Sequence, residues 1–193
     1  MQGETADRIL KTAHHLMANL GYSAFSYADI AEAVQIRKAS IHHHFPTKAD
    51  LAVAVLKDHR ERLVAACEGL DQQIANPHAR LQAYVQYWEG CIRSKTEPFC
   101  IAALLAAELP SLPEEVQAEV HRYFEALHAW IQRTLDEGLR KRVIKLQNPS
   151  EDEAQTFMAV VHGAMLSARA YRACDVFHTV TSAALQRIST AKR

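Results

Sequence analysis

The sequence predicts an all-α protein of about nine helices, and three observations support that fold class. Apolar residues recur every three or four positions through most of the chain, which is typical of amphipathic helices. Glycine and proline number only six each and fall mainly between these periodic segments. No long apolar–polar alternation and no Asn-Gly or Asp-Gly pair indicates a β-hairpin.

The first four predicted helices follow one another closely. The first ends at Gly21, because glycine is favoured just after a helix. Its apolar face comprises Ile9, Ala13, Leu16, Met17 and Leu20. The second starts after Ser26, with Asp29 three residues later, as in a capping box. The third is the short segment KASIHHH, and Thr47 can cap a long fourth helix that begins at Lys48.

Five longer helical segments are expected in the rest of the chain. The fifth runs from Asn76 to about Arg93, and the sixth roughly from Phe99 to Leu109. The seventh follows Pro113, since proline at a first helical position loses no hydrogen bond. Ser150 is the expected cap of the eighth helix, whose first turn is acidic. The ninth spans about Asp175 to Ile188.

Hydropathy and cysteine spacing predict a soluble cytoplasmic protein with no membrane partner. No apolar run approaches the roughly 18 residues of a membrane span, and the start MQGETADRIL lacks the pattern of a signal peptide. The four cysteines are widely spaced without a CxxC pair, as expected of reduced thiols. They are Cys67, Cys91, Cys100 and Cys174.

Charge is balanced overall but locally basic. The net charge is zero, which argues against a protein that coats nucleic acid generally. The range 34–47, however, contains two cations and no acid, and Lys48 follows it. A small basic face on a neutral body fits an anionic partner at one end of the molecule.

The spacing of the second and third helices predicts a helix-turn-helix. Ala31 is small where two helices cross closely, and a tight turn falls at Gln35, four residues later. The apolar residues of a shared core would be Val34, Ile36, Ile41 and Phe45. The second helix of such a motif enters the DNA major groove. The remaining residues on and before the predicted third helix would face solvent or DNA. They are Arg37, Lys38, Ser40, His42, His43 and His44.

The stretch YADIAEAVQIRKASIHHHFPTKADL resembles the DNA-binding signature of the tetracycline-repressor (TetR) family. The resemblance covers about residues 5–55. Matching positions are Ile30, Ala31, Lys38, Ile41, His43, His44, Phe45 and the run from Lys48 to Leu51. The sequence departs at Gln35 and Ala39, which replace common glycines, and at His42, which replaces a common tyrosine. If Gln35 takes a positive φ, it costs on the order of 1 kcal/mol relative to glycine.

The resemblance implies two domains with different functions and a set of binding partners. Residues 1–48 would form a three-helix DNA-binding domain, and residues 49–193 a helical domain for effector binding and dimerisation. A homodimer would bind a palindromic operator in double-stranded DNA and repress nearby genes, until an unidentified small-molecule effector releases it. No cofactor is implied.

Candidate DNA contacts lie on and beside the third helix. The resemblance implies that six residues occupy positions that touch DNA, mostly its phosphates. These residues are Lys38, Ala39, His42, His43, His44 and Lys48. Arg37 and Ser40 are our candidates for base-edge contact, since arginine can bind guanine through two hydrogen bonds. Ser26 or Tyr27 would approach the DNA backbone from the start of the second helix. The alternative for Lys48 is an ordinary solvated lysine, and the alternative for the histidines is a solvated or core-facing role.

Neither a metal site nor an enzyme is expected. Three consecutive helical side chains point about 100° apart, so the histidines cannot share one metal ion, and HExxH is absent. No nucleophile elbow, phosphate loop or dinucleotide fingerprint occurs either. A small helical enzyme and a helical adaptor for an acidic protein remain the alternative functions.

Candidate effector contacts in the second part of the chain are Tyr84, Trp88, Cys100, Glu108, Tyr123 and Phe124. The alternative for the aromatic residues is plain core, and for Glu108 it is capping or pairing at a helix end. Cys100 stands near a helix start, which lowers a thiol pKa, so it could sense electrophiles or oxidants unless it is an inert buried thiol.

The last two helices contain small residues that permit close helix approach, such as Gly163 and Ala164. The resemblance implies a dimer interface of four helices, two from each subunit. Interface candidates are Phe157, Val161, Met165, Phe177, Val180 and Ala184, with an intramolecular core as the alternative.

Overall fold

The computed structural model describes residues 2–96 and 99–190, and it confirms the all-α prediction. The nine α-helices of these ranges are α1 (Gln2–Leu20), α2 (Tyr27–Val34), α3 (Lys38–His44), α4 (Lys48–Gln73), α5 (Pro77–Ser94), α6 (Ile101–Ala107), α7 (Glu114–Arg140), α8 (Ser150–Tyr171) and α9 (Cys174–Ile188). A 3₁₀ turn, Leu109–Ser111, follows α6. None of the helices so described is both long and apolar enough to cross a membrane.

Helix boundaries follow local capping chemistry. The Asn76 side chain accepts hydrogen bonds from two N–H groups in the first turn of α5. The sixth helix is shorter than expected, because Cys100 stands in an extended conformation before it and Glu108 ends it. Ser150 is the first residue of α8 and not its cap, because the cap position before the helix is occupied by Pro149.

The described residues up to Glu61 form one compact unit together with Cys100–Tyr123. Within it, α1 packs against α2, α3 and α6, and α2 packs against α3. Its fully buried residues include Ile9, Ala13, Met17, Ile30, Ile41, Leu51, Leu56, Ile101 and Leu105. The Arg8 guanidinium donates to the Val34 carbonyl at 2.6 Å and so ties α1 to the end of α2. The predicted domain boundary after residue 48 falls in the first turn of α4 and stays a prediction.

The described residues of the ranges 62–99 and 124–193 form the second compact unit, in which α9 packs against α8 and α5. Four interface candidates belong to its core, with at most 3% of their surface exposed: Phe157, Val161, Met165 and Phe177. A side chain already buried within one chain has almost no surface to bury against another, which favours the intramolecular core that was the alternative for these four, and their interface role stays a prediction. Val180 is 38% exposed and Ala184 is partly exposed, so these two remain interface candidates.

Paired charges also hold the second unit together. Arg80 is buried and donates to Glu137 through both terminal nitrogens, and it lies 3.4 Å from Asp71. Hydrogen bonds from Arg80 and Lys141 lower the pKa of Glu137 to about 2. Folding therefore gains from this carboxylate above its usual pKa of 4.5, and the gain is lost as the pH falls through that range toward 2.

Candidate nucleic-acid interface

The start of α2 is fixed by a complete capping box. The Ser26 N–H donates to Asp29 Oδ2 at 2.6 Å, and Ala28 N–H donates to Ser26 Oγ at 3.2 Å. Two hydrogen bonds from Ser26 lower the pKa of Asp29. The hydrogen bond from the Ser26 hydroxyl has the larger effect, and that from its backbone N–H comes next. The chain entering the motif is thus held in one conformation.

The turn between α2 and α3 uses a left-handed residue. Gln35 has φ 57° and ψ 49°, which confirms the positive φ considered from the sequence. Behind it, the Ile36 N–H donates to the Ala31 carbonyl at 3.0 Å, closing the end of α2. This turn sets the direction of α3 relative to α2.

The polar face of α3 points outward. Ile41 is completely buried, as predicted, whereas Phe45 is only partly buried. The exposed residues on and before α3 are Arg37, Lys38, Ala39, His42 and His43, and the partly exposed ones are Ser40 and His44. The helix therefore presents two cations and imidazole groups on one short accessible surface.

His42 also has a structural contact. Its ring lies 4.8 Å from the Tyr27 ring, and its Nδ1 lies 3.0 Å from the Pro46 carbonyl oxygen. Because a carbonyl only accepts, Nδ1 carries the proton of this hydrogen bond.

Among the described residues, no group of three or more potential ligands could hold a metal ion.

Tyr27 contacts the backbone that follows α3 and so helps to position this helix. Its side chain is buried, and its hydroxyl lies 2.9 Å from the Phe45 carbonyl oxygen and 2.5 Å from that of Thr47. Burial raises the pKa of Tyr27 to about 12, so the hydroxyl remains a donor. These contacts favour a positioning role for Tyr27, because its polar atom already binds the turn that follows α3, and its approach to DNA stays a prediction. Ser26 stays exposed.

Lys48 is half-buried at the start of α4. Its ammonium donates to the Phe25 carbonyl at 2.5 Å and lies 4.3 Å from the Phe25 ring centroid and 4.7 Å from that of Tyr22. Burial lowers the pKa of Lys48, and the carboxylate of Glu108 opposes that shift. The predicted cap of α4 is confirmed, since the Asp50 N–H donates to Thr47 Oγ1 at 3.1 Å.

Three of the predicted effector residues lie in the first unit. The Cys100 thiol is fully buried and donates to the Tyr123 hydroxyl at 3.3 Å, with His59 Nε2 at 3.8 Å. The His59 ring stacks on the Tyr123 ring at 4.9 Å. Sequence reasoning missed His59, because it lies in the polar stretch KDHRER and no spacing pattern distinguishes it.

Glu108 takes the pairing role that was its alternative in the sequence. Its carboxylate accepts hydrogen bonds from the N–H groups of Tyr22 and Ser23, at 3.1 and 3.2 Å, and from the Ser23 hydroxyl at 3.3 Å. Glu108 is therefore bound to the connection between α1 and α2. An effector contact by Glu108 remains only a prediction.

The other three predicted effector residues lie in the second unit. Tyr84 and Trp88 are buried, and the Tyr84 ring lies 5.6 Å from that of Trp130. Phe124 contacts the ring of His162 at 5.3 Å, and burial lowers the pKa of His162 to about 4. Trp88 Nε1 and His162 Nε2 are buried without a hydrogen-bond partner among the described residues. Each of these atoms would gain from a polar group on a bound molecule.

Family models match both parts of the chain. The model for bacterial regulatory proteins of the tetR family matches residues 9–55. The model for the tetracyclin repressor-like C-terminal domain matches residues 77–184. Together they cover the helix-turn-helix and most of the remaining helices.

Individual proteins agree with these matches. A TetR-family transcriptional regulator from Agrobacterium tumefaciens has 44% identity and a TM-score of 0.97, covering 98% of this chain and 100% of that one. The repressor NemR of Escherichia coli strain K12 is 24% identical over 178 residues, which are 89% of this chain and 87% of the relative. The repressor DhaR of Mycobacterium sp. strain GP1 is 27% identical over 169 residues, 86% and 84% respectively.

The left-handed turn leads to a stability prediction. Replacing Gln35 by glycine should raise the free energy of unfolding by about 1 kcal/mol, because glycine adopts a positive φ without steric strain. Urea denaturation measures the change. The control Gln86→Gly, at an exposed position within α5, should lower stability by about 1 kcal/mol. A loss of stability in Gln35→Gly would show that the glutamine side chain contributes more than the strain removes.

Proposed function

This chain belongs to the TetR family of bacterial regulatory proteins and is a DNA-binding transcriptional regulator, and we propose that it represses transcription as an effector-released homodimer. The observation that carries the proposal is the exposed polar face of α3, held from behind by a buried Ile41 and the Tyr27 hydroxyl. A stiff helix with cations on its free side suits the DNA major groove. We also expect the protein to act in the cytoplasm, where its DNA would be.

Two copies are needed for specific binding because α3 is short. Seven residues span about 10 Å, which corresponds to roughly three base pairs. A second α3, one DNA turn away, would double the sequence that is read and would favour a palindromic operator. The dimer surface that we propose is the exposed face of α8 and α9, which contains Leu166, 60% exposed, with Val180 and Ala184.

Repression and release by an effector rest on relatives and on the second unit. NemR and DhaR are both named as repressors, which supports the same sign of regulation here. The effector is an unidentified small molecule. Trp88 Nε1, which can only donate, and His162 Nε2 are our candidate polar contacts, because both atoms are buried without a partner in the part of the chain described.

The DNA-reading role can be separated from phosphate binding with two adjacent cations. Arg37→Ala should weaken binding to a duplex selected by the wild-type protein from a random pool, roughly tenfold to hundredfold, and affect an unrelated duplex less. Lys38→Ala should weaken both duplexes similarly and reduce the salt slope by about one. Fluorescence anisotropy at several salt concentrations gives both quantities. Equal losses for Arg37→Ala on both duplexes would remove it from base reading, and a wild-type protein that selects no duplex would overturn the proposal.

The dimer surface has a matched test. Leu166→Glu would place a charge at the centre of the proposed interface, so sedimentation should show a monomer and affinity for the selected duplex should fall at least tenfold. The control Leu139→Glu changes another exposed leucine, on α7, and should stay dimeric. A dimeric Leu166→Glu protein with unchanged DNA affinity would place the interface elsewhere.

A second candidate function is sensing of electrophiles through Cys100. The observation that favours it is the contact of the thiol with His59 and Tyr123, since a neighbouring imidazole can take up the thiol proton. With an α,β-unsaturated carbonyl compound, the sulfur would form a bond to the β-carbon and the proton would pass to the α-carbon. Because the thiol is fully buried, this reaction requires a transient opening around α6.

Alkylation by N-ethylmaleimide distinguishes this candidate from an inert thiol. The wild-type protein should lose affinity for the selected duplex as mass spectrometry detects the adduct at Cys100, whereas Cys100→Ser should bind before and after treatment. The control Cys91→Ser changes a more accessible thiol and should respond like the wild type. Release that persists in Cys100→Ser would exclude Cys100 as the sensor.

A further inference from the structure

We infer that a charged pocket on the second unit binds a zwitterionic small molecule, in which an amine and a carboxylate are separated by several bonds. The pocket is lined by residues from the end of α4, the start of α5 and the second half of α7, and its volume is about 590 Å³. Sites for small molecules usually have volumes of about 300–1,000 Å³. Its lining residues differ from the effector and interface candidates, so the inference goes beyond the proposed function.

The lining of the pocket combines both signs of charge in equal number. Its three cations and three anions are Arg80, Arg133, Arg140, Asp71, Asp136 and Glu137. The protein engages some of these groups fully and others hardly at all. The groups that remain accessible decide which ligand the pocket can hold.

Arg80 and Glu137 neutralise each other on the buried side of the pocket. The Arg80 guanidinium donates to Glu137 through both terminal nitrogens, and its Nε donates to the Ile74 carbonyl at 2.6 Å. The Lys141 ammonium lies 2.7 Å from Glu137 Oε1. Because both oxygens of Glu137 and all three nitrogens of Arg80 are engaged, this pair forms a fixed wall and leaves ligand binding to the other charges.

Asp71 offers one carboxylate oxygen from a fixed position. Its Oδ1 accepts from Trp130 Nε1 at 3.1 Å and lies 3.4 Å from a terminal nitrogen of Arg80. Trp130 is held in turn, because its carbonyl accepts from the buried Thr134 hydroxyl at 2.8 Å. Within the part of the chain described, no hydrogen bond or ion pair engages Asp71 Oδ2, and the side chain is 35% exposed. This oxygen is available to an ammonium group.

The rim of the pocket is a row of alternating charges on α7. Arg133, Asp136 and Arg140 are exposed, and their spacing of three and four residues places them on one face of the helix. The same spacing allows ion pairs, as Glu137 and Lys141 show. Across residues 2–96 and 99–190, however, no carboxylate lies within ion-pair distance of Arg133 or Arg140. These three rim charges are therefore available to a ligand.

This arrangement of charges selects a zwitterion. A simple anion would be attracted by Arg133 and Arg140 but repelled by Asp136, and a simple cation would meet the opposite balance. A zwitterion places each charge against its opposite and forms charge-assisted hydrogen bonds at both ends. Asp136 and Arg140 are four residues apart, about 6 Å along the helix axis, so several carbon atoms fit between the amine and the carboxylate.

Three probes of equal chain length test the selection of charge. We expect the full-length protein to bind 6-aminohexanoate at least about tenfold more tightly than hexanoate or hexylamine, in titration calorimetry at low ionic strength. A network of surface ion pairs without a ligand predicts no saturable binding of any probe, which would overturn the inference. Equal or tighter binding of hexanoate would also overturn it, because the pocket would then be a plain anion site.

Single-charge variants locate the binding and separate charge selection from a structural role. Asp136→Asn and Arg140→Gln should each weaken 6-aminohexanoate binding about tenfold. Their effects on the other probes should have opposite signs, because Asp136→Asn removes a repulsion for hexanoate and Arg140→Gln removes one for hexylamine. Weaker binding of all three probes in both variants would show that these residues only shape the pocket, contrary to the inference.

The matched control is Arg172→Gln. Arg172 is an exposed arginine that follows α8 and does not line the pocket, so this variant should bind 6-aminohexanoate like the wild type. A loss in Arg172→Gln as large as that in Arg140→Gln, or wild-type affinity in both pocket variants, would place the binding elsewhere and overturn the assignment. These titrations need no DNA, so their outcome is independent of whether the proposed function holds.

Discussion

The seven-residue α3 is too short to be stable by itself, and the organisation of the first unit depends on that constraint. Isolated helices shorter than about 12 residues barely form in water, because nucleation is unfavourable. α3 therefore takes its position from its neighbours: a buried Ile41, the left-handed turn at Gln35 and the Tyr27 hydroxyl beneath its end. Since Ile41 is buried and the Tyr27 hydroxyl binds the turn after α3, the exposed side chains of α3 remain available to a partner.

The Tyr27 support is in turn held by the elements around the start of α2. Tyr27 is the first residue of α2, whose capping box begins at Ser26. The connection that leads to Ser26 is bound by α6 through Glu108 and by α4 through Lys48. The orientation of the DNA-binding face therefore depends on helices outside the motif.

The sequence predicted the helices and the helix-turn-helix, because periodicity, capping residues and the resemblance are local signals. It also predicted the outward face of α3, and it raised the positive φ of Gln35 as a condition that the structure meets. It did not predict the role of Tyr27, the participation of His59 or the contact of Glu108 with a segment 85 residues earlier, since these depend on long-range packing. The dimer face stays a prediction for a similar reason: Phe157 and Phe177 have the same spacing whether they face a second subunit or their own core, and within one chain they are buried.

Lys48 can hold the 21–25 segment and still bind a DNA phosphate. An ammonium group has three N–H donors, and the Phe25 carbonyl takes one of them. The aromatic rings stabilise the charge without neutralising it, and the group is only partly buried, so a DNA phosphate can still approach it. A phosphate that binds Lys48 would pull on the residue that holds the 21–25 segment, while Glu108 holds the same segment from α6. A phosphate bound at Lys48 would then change the free energy with which the 21–25 segment is held.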